Sequence, residues 1–184
     1  TYIPVFHDFS LVKPEVTDDK YILYHGDLRI SDNIKAVHFL IDIYKNTSYK
    51  FIIAGSSSNK SILKKIKNYP NIKFKEINSE EILNDLLKKA QINVIVSFQK
   101  TGIKLKLLNA LQKSSFVIAN NLVLAETHLE DVCSLANTPE GFIKQTENLI
   151  NKEYTEKYFL ERNEKLAEFN PKDAAIKIAT ILFK

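Results

Sequence analysis

The chain contains no tryptophan, no methionine, one cysteine and only four glycines among its 184 residues. Each shortage excludes something. Cys133 has no partner for an internal disulfide, and a lone thiol suits a reducing compartment. No apolar stretch approaches the roughly 20 residues that span a bilayer. The first residues, TYIPVFHDFS, have neither the basic start nor the apolar centre of a signal peptide. Without methionine the natural start is missing, so a fragment of a longer protein is expected. His7, His25, His38 and His128 are scattered without metal-ligand spacing, so no metal site is expected. The net charge of +4 is modest and almost all of its cations are lysines. No basic stripe interleaved with aromatics is present, which argues against nucleic acid as a partner. The densest lysine cluster, NKSILKKIKNYPNIKFK, reads as a solvated helix face followed by an edge strand.

What is there is an alternation. The apolar run YILYHG (21–26) reads as a buried strand ending at a glycine. Ile34, Val37, Ile41 and Tyr44 then fall at helical spacing, with Ser31 or Asp32 placed to cap the helix. YKFIIAG (49–55) is a second strand, and a helix from about 60 to 68 is stopped by Pro70. NIKFKEI (71–77) alternates apolar and charged residues as an edge strand does. NSEEILNDLLKKA is a helix capped by Ser79, and INVIVSF, a helix from Gly102 and SSFVIAN follow. Apolar-rich runs of this length between helices predict an α/β fold. Its expected form is a Rossmann-like parallel sheet of about six strands with helices on both faces. DVCSLAN reads as one more short strand.

From Thr138 onward the pattern is helical, with Thr138 as N-cap before Pro139 and with Pro171 opening the last helix. Tyr154, Tyr158, Phe159 and Phe169 are spaced for helix packing, either as core or as an interface with another domain. The domain reading is a linker over 1–20, a Rossmann-like domain over 21–152, and C-terminal helices over 153–184. Those helices form a helical extension packing on the domain or on a missing N-terminal domain.

The stretch 93–120 is the most informative. An apolar run ends at a glycine turn, a helix with two lysines follows, and a second apolar run closes the unit. Strand, turn, helix and strand in that order leave the helix N-terminus free to hold an anion. Its unpaired N–H groups and the positive end of its dipole favour phosphate. Seven residues separate Gly102 from Asn109, about two helical turns, so they share a face with Lys106, while Lys104 lies in the first turn. Either lysine is a phosphate ligand or solvated surface. Asn109 contacts a ligand or satisfies a neighbouring backbone group. His25 lines the cleft or, as the safer reading, is a satisfied core histidine.

The order of the pieces resembles the C-terminal, donor-binding domain of GT-B glycosyltransferases, in the group 1, family-four-like class, over roughly 3–183. IPVFHD is similar to that family's inter-domain linker, YILYHGDLRISDNIKAVHFL to its first strand, loop and helix, and FIIAG to its second strand. NIKFKEINSEEILNDLLKKAQINVIVSF resembles the stretch leading to the donor site. TGIKLKLLNALQKSSFVIANN resembles the signature helix and following strand, and SLANTPEGFIKQTENLI the late strand and helix.

The resemblance implies a donor diphosphate over Thr101, Gly102 and Ile103, held also by Lys104 or Lys106. It implies close backbone approach at Gly26, Asp27 and Leu28, a nucleobase at the turn around Ile77, and Asn109 at the place of a ribose-binding glutamate. Departures accompany it. The family's basic pair falls on Asp27 and Asp32, and its two glutamates on Thr101 and Asn109.

The implied function is binding of a nucleoside-diphosphate sugar, as donor substrate rather than cofactor, for transfer to a glycan or lipid-linked acceptor. The fragment alone is expected to be inactive. The implied partner is an N-terminal acceptor domain of the same protein, with peripheral membrane association through it, in bacterial cytoplasm or at the inner face of the membrane. The rival reading is a degenerate domain that serves as a non-catalytic scaffold or interaction module. A sugar-nucleotide epimerase of the same fold needs catalytic carboxylates and a histidine in the cleft, a set that cannot be placed here. The sequence names neither sugar, base nor acceptor.

Overall fold

The computed structural model describes residues 11–99 and 105–183. Six parallel strands form one sheet: β1 (Ile22–His25), β2 (Phe51–Gly55), β3 (Ile72–Glu76), β4 (Ile92–Ile95), β5 (Phe116–Ala119) and β6 (Ser134–Leu135). Their spatial order is β3-β2-β1-β4-β5-β6. The described residues also form eight α-helices: α1 (Ser31–Tyr44), α2 (Lys60–Ile66), α3 (Glu80–Lys89), α4 (Leu105–Lys113), α5 (Asn121–Leu124), α6 (Pro139–Ile150), α7 (Glu156–Leu166) and α8 (Pro171–Leu182).

The central strands are buried on both faces, which is why they read as unbroken apolar runs. Ile22, Tyr24, Phe51 and Ile53 pack on one face with Val37, Leu40 and Ile41 of α1, Ile62 of α2 and Phe142 of α6. Leu23, Ile52 and Ala54 pack on the other with Leu86 and Leu87 of α3. Farther along that second face, Ile95, Val117 and Ala119 meet Leu107, Leu108 and Leu111 of α4 and Leu166 of α7. The alternating β3 is an edge strand, with Lys73 and Lys75 exposed. Of the lysine-rich segment, Lys64 and Lys67 are exposed.

The caps follow the sequence in two places. Thr138 Oγ1 accepts the Gly141 N–H at 3.1 Å, and Ser79 Oγ accepts the Ile82 N–H at 3.4 Å. Thr138→Ala should cost about 1 kcal/mol and lower the midpoint of thermal unfolding by about 2–4 °C, read by circular dichroism. The cap of α1 differs from expectation. Ser31 is its first helical residue, and the N-cap is Ile30, which has no side-chain bond to give. Asp27 organises that entrance instead, as set out below. The short helix α5 was also not read from the sequence.

Residues 11–20 run along the helical face. The Val12 N–H bonds the Gln112 carbonyl, the Glu15 N–H bonds the Lys88 carbonyl, and Lys13 pairs with Glu156. At the other end, α7 packs on α4, while α8 leaves Ile176, Ile181 and Leu182 exposed.

Candidate functional site

In an open parallel sheet a ligand crevice forms outside the carboxyl ends of the strands, where the strand order reverses. Here that point lies between β1 and β4, which pair through Ile22 with Ile92 and Leu23 with Asn93. The loop after β1 and the segment after β4 therefore face each other.

Asp27 folds the first loop. Its carboxylate accepts the backbone N–H of Arg29 at 2.9 Å and the guanidinium Nη2 at 2.7 Å, and its carbonyl accepts Asn33 Nδ2 at 2.8 Å. The Arg29 bonds hold the Asp27 carboxyl well below the usual range, at about 2. The Asp27 charge is thus neutralised by a cation two residues on. Leu28 turns its side chain into the core against Gly55. A Cβ at Gly55 would lie 3.0 Å from both the Gly26 carbonyl and Leu28 Cγ, so glycine is what lets the loop lie this close to β2.

Lys106, in the first turn of α4 as described, reaches across the crevice mouth. Its ammonium lies 2.7 Å from Asn33 Oδ1, 3.4 Å from the Tyr24 hydroxyl and 5.2 Å from the Tyr24 ring centroid. Both oxygens are neutral. The side chain is half-buried, and burial pushes its pKa down to about 8. A second bridge crosses nearby, with Gln99 Nε2 donating to the Asp32 carboxylate. Behind it, the Asn120 amide pairs both ways with the Ser97 backbone, accepting its N–H at 3.1 Å and donating to its carbonyl at 2.7 Å. That clamp fixes the chain just after β4.

Under the crevice, on the α3 and α4 side, lies a polar pocket of side chains. His25 is only 5% exposed; Asn93 Nδ2 donates to its Nδ1 at 3.4 Å, and its Nε2 has no partner. Asn93 Oδ1 and both amide atoms of Gln112 are likewise buried without partners. Lys113, about two helical turns beyond Lys106, is buried with its ammonium on Asn84 Oδ1 at 2.7 Å. Burial first, then Lys106 and Lys113, push the His25 pKa down to about 3, so the ring is neutral. It is a core histidine, as expected, but an incompletely satisfied one.

The structure therefore brings Gly26, Asp27, Leu28 and Lys106 to one crevice. Asn109 is half-buried one turn along α4. Ile77, past the end of β3, is half-buried with its N–H on the Gly55 carbonyl at 2.9 Å. Thr101, Gly102, Ile103 and Lys104 lie outside the described residues. Sequence reasoning missed Tyr24, Asn33, Gln99, Asn93 and Asn120. The available signal was the asparagine closing an apolar run at 120, an odd residue for a strand end unless its amide is used.

A six-stranded parallel sheet in this order, with its reversal between β1 and β4, defines a Rossmann-like domain. Residues 19–152 match the family model described as glycosyl transferases group 1, and the chain belongs to that family. Sucrose-phosphate synthase from Thermosynechococcus elongatus superposes with a TM-score of 0.75 at 15% identity, covering 98% of this chain and 51% of that one. The lipopolysaccharide outer core galactosyltransferase WaaB, in its apo form, gives 0.63 at 17%, covering 96% and 54%. AviGT4, a glycosyltransferase involved in avilamycin A biosynthesis, gives 0.63 at 15%, covering 95% and 55%. The chain thus spans about half the length of these structures. No curated protein matches it by sequence. No helix among the described residues is long and apolar enough to cross a membrane.

Proposed function

We propose that this chain is the donor-binding half of a GT-B glycosyltransferase and holds a nucleoside-diphosphate sugar in the crevice between β1 and β4. The observation that carries the reading is Lys106: a half-buried ammonium at the reversal of the sheet, bonded among the described residues only to neutral oxygens. A diphosphate oxygen supplies the charge it lacks, and as diphosphate leaves in the reaction the same ammonium stabilises the developing negative charge. Backbone N–H groups at 101–103 and at Asp27 and Leu28 complete the cradle, Ile77 sits at the nucleobase and Asn109 at the ribose. Lys104, close by in the sequence, adds a second ammonium. The acceptor belongs to an N-terminal domain of the same protein, and α8, with its exposed Ile176 and Leu182, docks there. No resident cofactor is invoked; the sugar nucleotide is a substrate. We place the enzyme in bacterial cytoplasm, reaching the inner membrane surface through the other domain.

Titrating the labelled chain with UDP, GDP and ADP by NMR tests this. Saturable shifts at Gly26, Gly102 and Asn109 with one of the three are expected. Silence at all of them at millimolar nucleotide would sink the binding claim. It would instead favour a domain that keeps the fold as a scaffold, the reading supported by the Gln99 to Asp32 bridge across the crevice mouth.

A further inference from the structure

A second cavity lies at the opposite edge of the sheet, at the amino ends of β5 and β6 and under α7. Its volume is about 400 Å³, within the range of small-molecule sites. Phe116, the first residue of β5, forms one wall. Tyr154 and Tyr158 form another, with ring centroids 5.3 and 5.7 Å from Phe116 and 6.0 Å from each other. The Lys152 ammonium lies 4.6 Å from the Tyr158 centroid.

Arg162 also lines it and is only 3% exposed. Its Nη1 donates to the Ser115 carbonyl at 3.2 Å and to the Ser114 carbonyl, which ties α7 to the end of α4. Among the described residues its Nε and Nη2 have no hydrogen-bond partner, neither has the buried Tyr154 hydroxyl, and no carboxylate is hydrogen-bonded to this guanidinium. The acids around the cavity, Asp131, Glu161 and Glu164, are exposed, and Asp131 is taken by Lys165 at 2.8 Å.

A buried cation with unused donors beside flat aromatic walls is incomplete as a purely structural device. Unsatisfied charged donors cost more than neutral ones, and an oxyanion satisfies them in a forked geometry. We propose that this cavity binds a compact ring-bearing oxyanion, a carboxylate or phosphate ester on a flat body. The oxyanion meets Arg162 and the Tyr154 hydroxyl, and the ring packs against Phe116 and Tyr158. Burial lowers the Arg162 pKa only to about 10, so it remains a cation at neutral pH. The site is independent of the crevice, being at the other end of the strands.

The test titrates the labelled chain with phenyl phosphate, benzoate and inorganic phosphate by NMR. Phenyl phosphate or benzoate should produce saturable shifts at Phe116, Cys133 and Ser134, while inorganic phosphate binds at least about fivefold more weakly for want of a ring. The better of the two ring-bearing probes separates a phosphate ester from a carboxylate. Arg162→Lys should weaken binding about tenfold and Lys152→Ala about threefold. Lys152→Ala changes an exposed side chain and decides the matter alone if Arg162→Lys fails to fold. No saturable shift up to about 10 mM, equal binding of inorganic phosphate, or indifference to the substitutions would each overturn the proposal.

Discussion

Lys106→Met should abolish nucleotide binding and at the same time stabilise the chain at neutral pH. The two effects share one cause. Burial places the folded-state pKa of Lys106 at about 8, against an ordinary value of 10.5. Below about pH 8 both folded and unfolded chains hold the proton, and the folded chain bears the whole cost of the buried charge. Between about 8 and 10.5 the folded chain sheds its proton first, so stability rises with pH across that window. Shifts of this size correspond to a cost on the order of 1–3 kcal/mol. Methionine keeps the volume and removes the charge. Part of the gain is offset because Asn33 Oδ1 and the Tyr24 hydroxyl lose a donor, although the half-buried Asn33 can turn to water.

Binding runs the opposite way with pH. An anion needs the ammonium, so nucleotide affinity should be level below about pH 8 and fall above it. Urea unfolding of parent and variant at about pH 7 and about pH 9.5 reads the first effect, and a UDP, GDP or ADP titration at the same two values reads the second. A variant that is less stable at both values and still binds nucleotide would remove Lys106 from the site.

The second large effect is acid sensitivity arising from His25. The folded ring stays neutral down to about pH 3, held there by burial and by Lys106 and Lys113, while the unfolded ring titrates near 6.5. Between those values the unfolded chain binds a proton that the folded chain refuses. Stability is therefore complete above about 6.5 and is lost as the pH falls toward 3, by up to a few kcal/mol. His25→Gln keeps an amide for Asn93 and removes the titration. Its stability should fall less steeply than the parent's across that window, whatever its absolute value. Parallel slopes would mean that the ring is solvated and not the buried neutral group described here.

Much of the architecture is legible because the central strands are wrapped on both sides. Ile22 to Tyr24 and Phe51 to Ala54 can be apolar throughout only in a covered parallel sheet, and the helices between them carry the 3.6-residue spacing of Val37, Ile41 and Tyr44. Edge strand β3 announced itself by alternation. The entrance to α1 was misread because local capping rules look for a side chain at the helix start. Here a carboxylate several residues earlier does the work through a turn.

Of the candidate crevice, Gly26, Gly55 and Lys106 stand out in the sequence, since each depends on position along the chain. The partners of Lys106 do not. Tyr24 and Asn33 meet it only because β1 and α1 lie beside β4 in space, and no spacing rule connects residues 24, 33 and 106. The same holds for Asn120 and Ser97, whose pairing depends on the neighbouring positions of β5 and β4. A polar residue at the end of an apolar run was the sole trace of it.

The seam between Ile22 and Ile92 also has a kinetic meaning. Joining segments so distant along the chain requires closing a long loop before any reward is collected, so this pairing belongs to the slow part of assembly. The cleft cannot exist in a nascent chain that stops short of Ile92, however well its first three strands have formed. On the proposed reading, ligand recognition is thereby reserved for molecules whose sheet has been completed through its middle, and a truncated or half-folded copy would have nowhere to put a diphosphate.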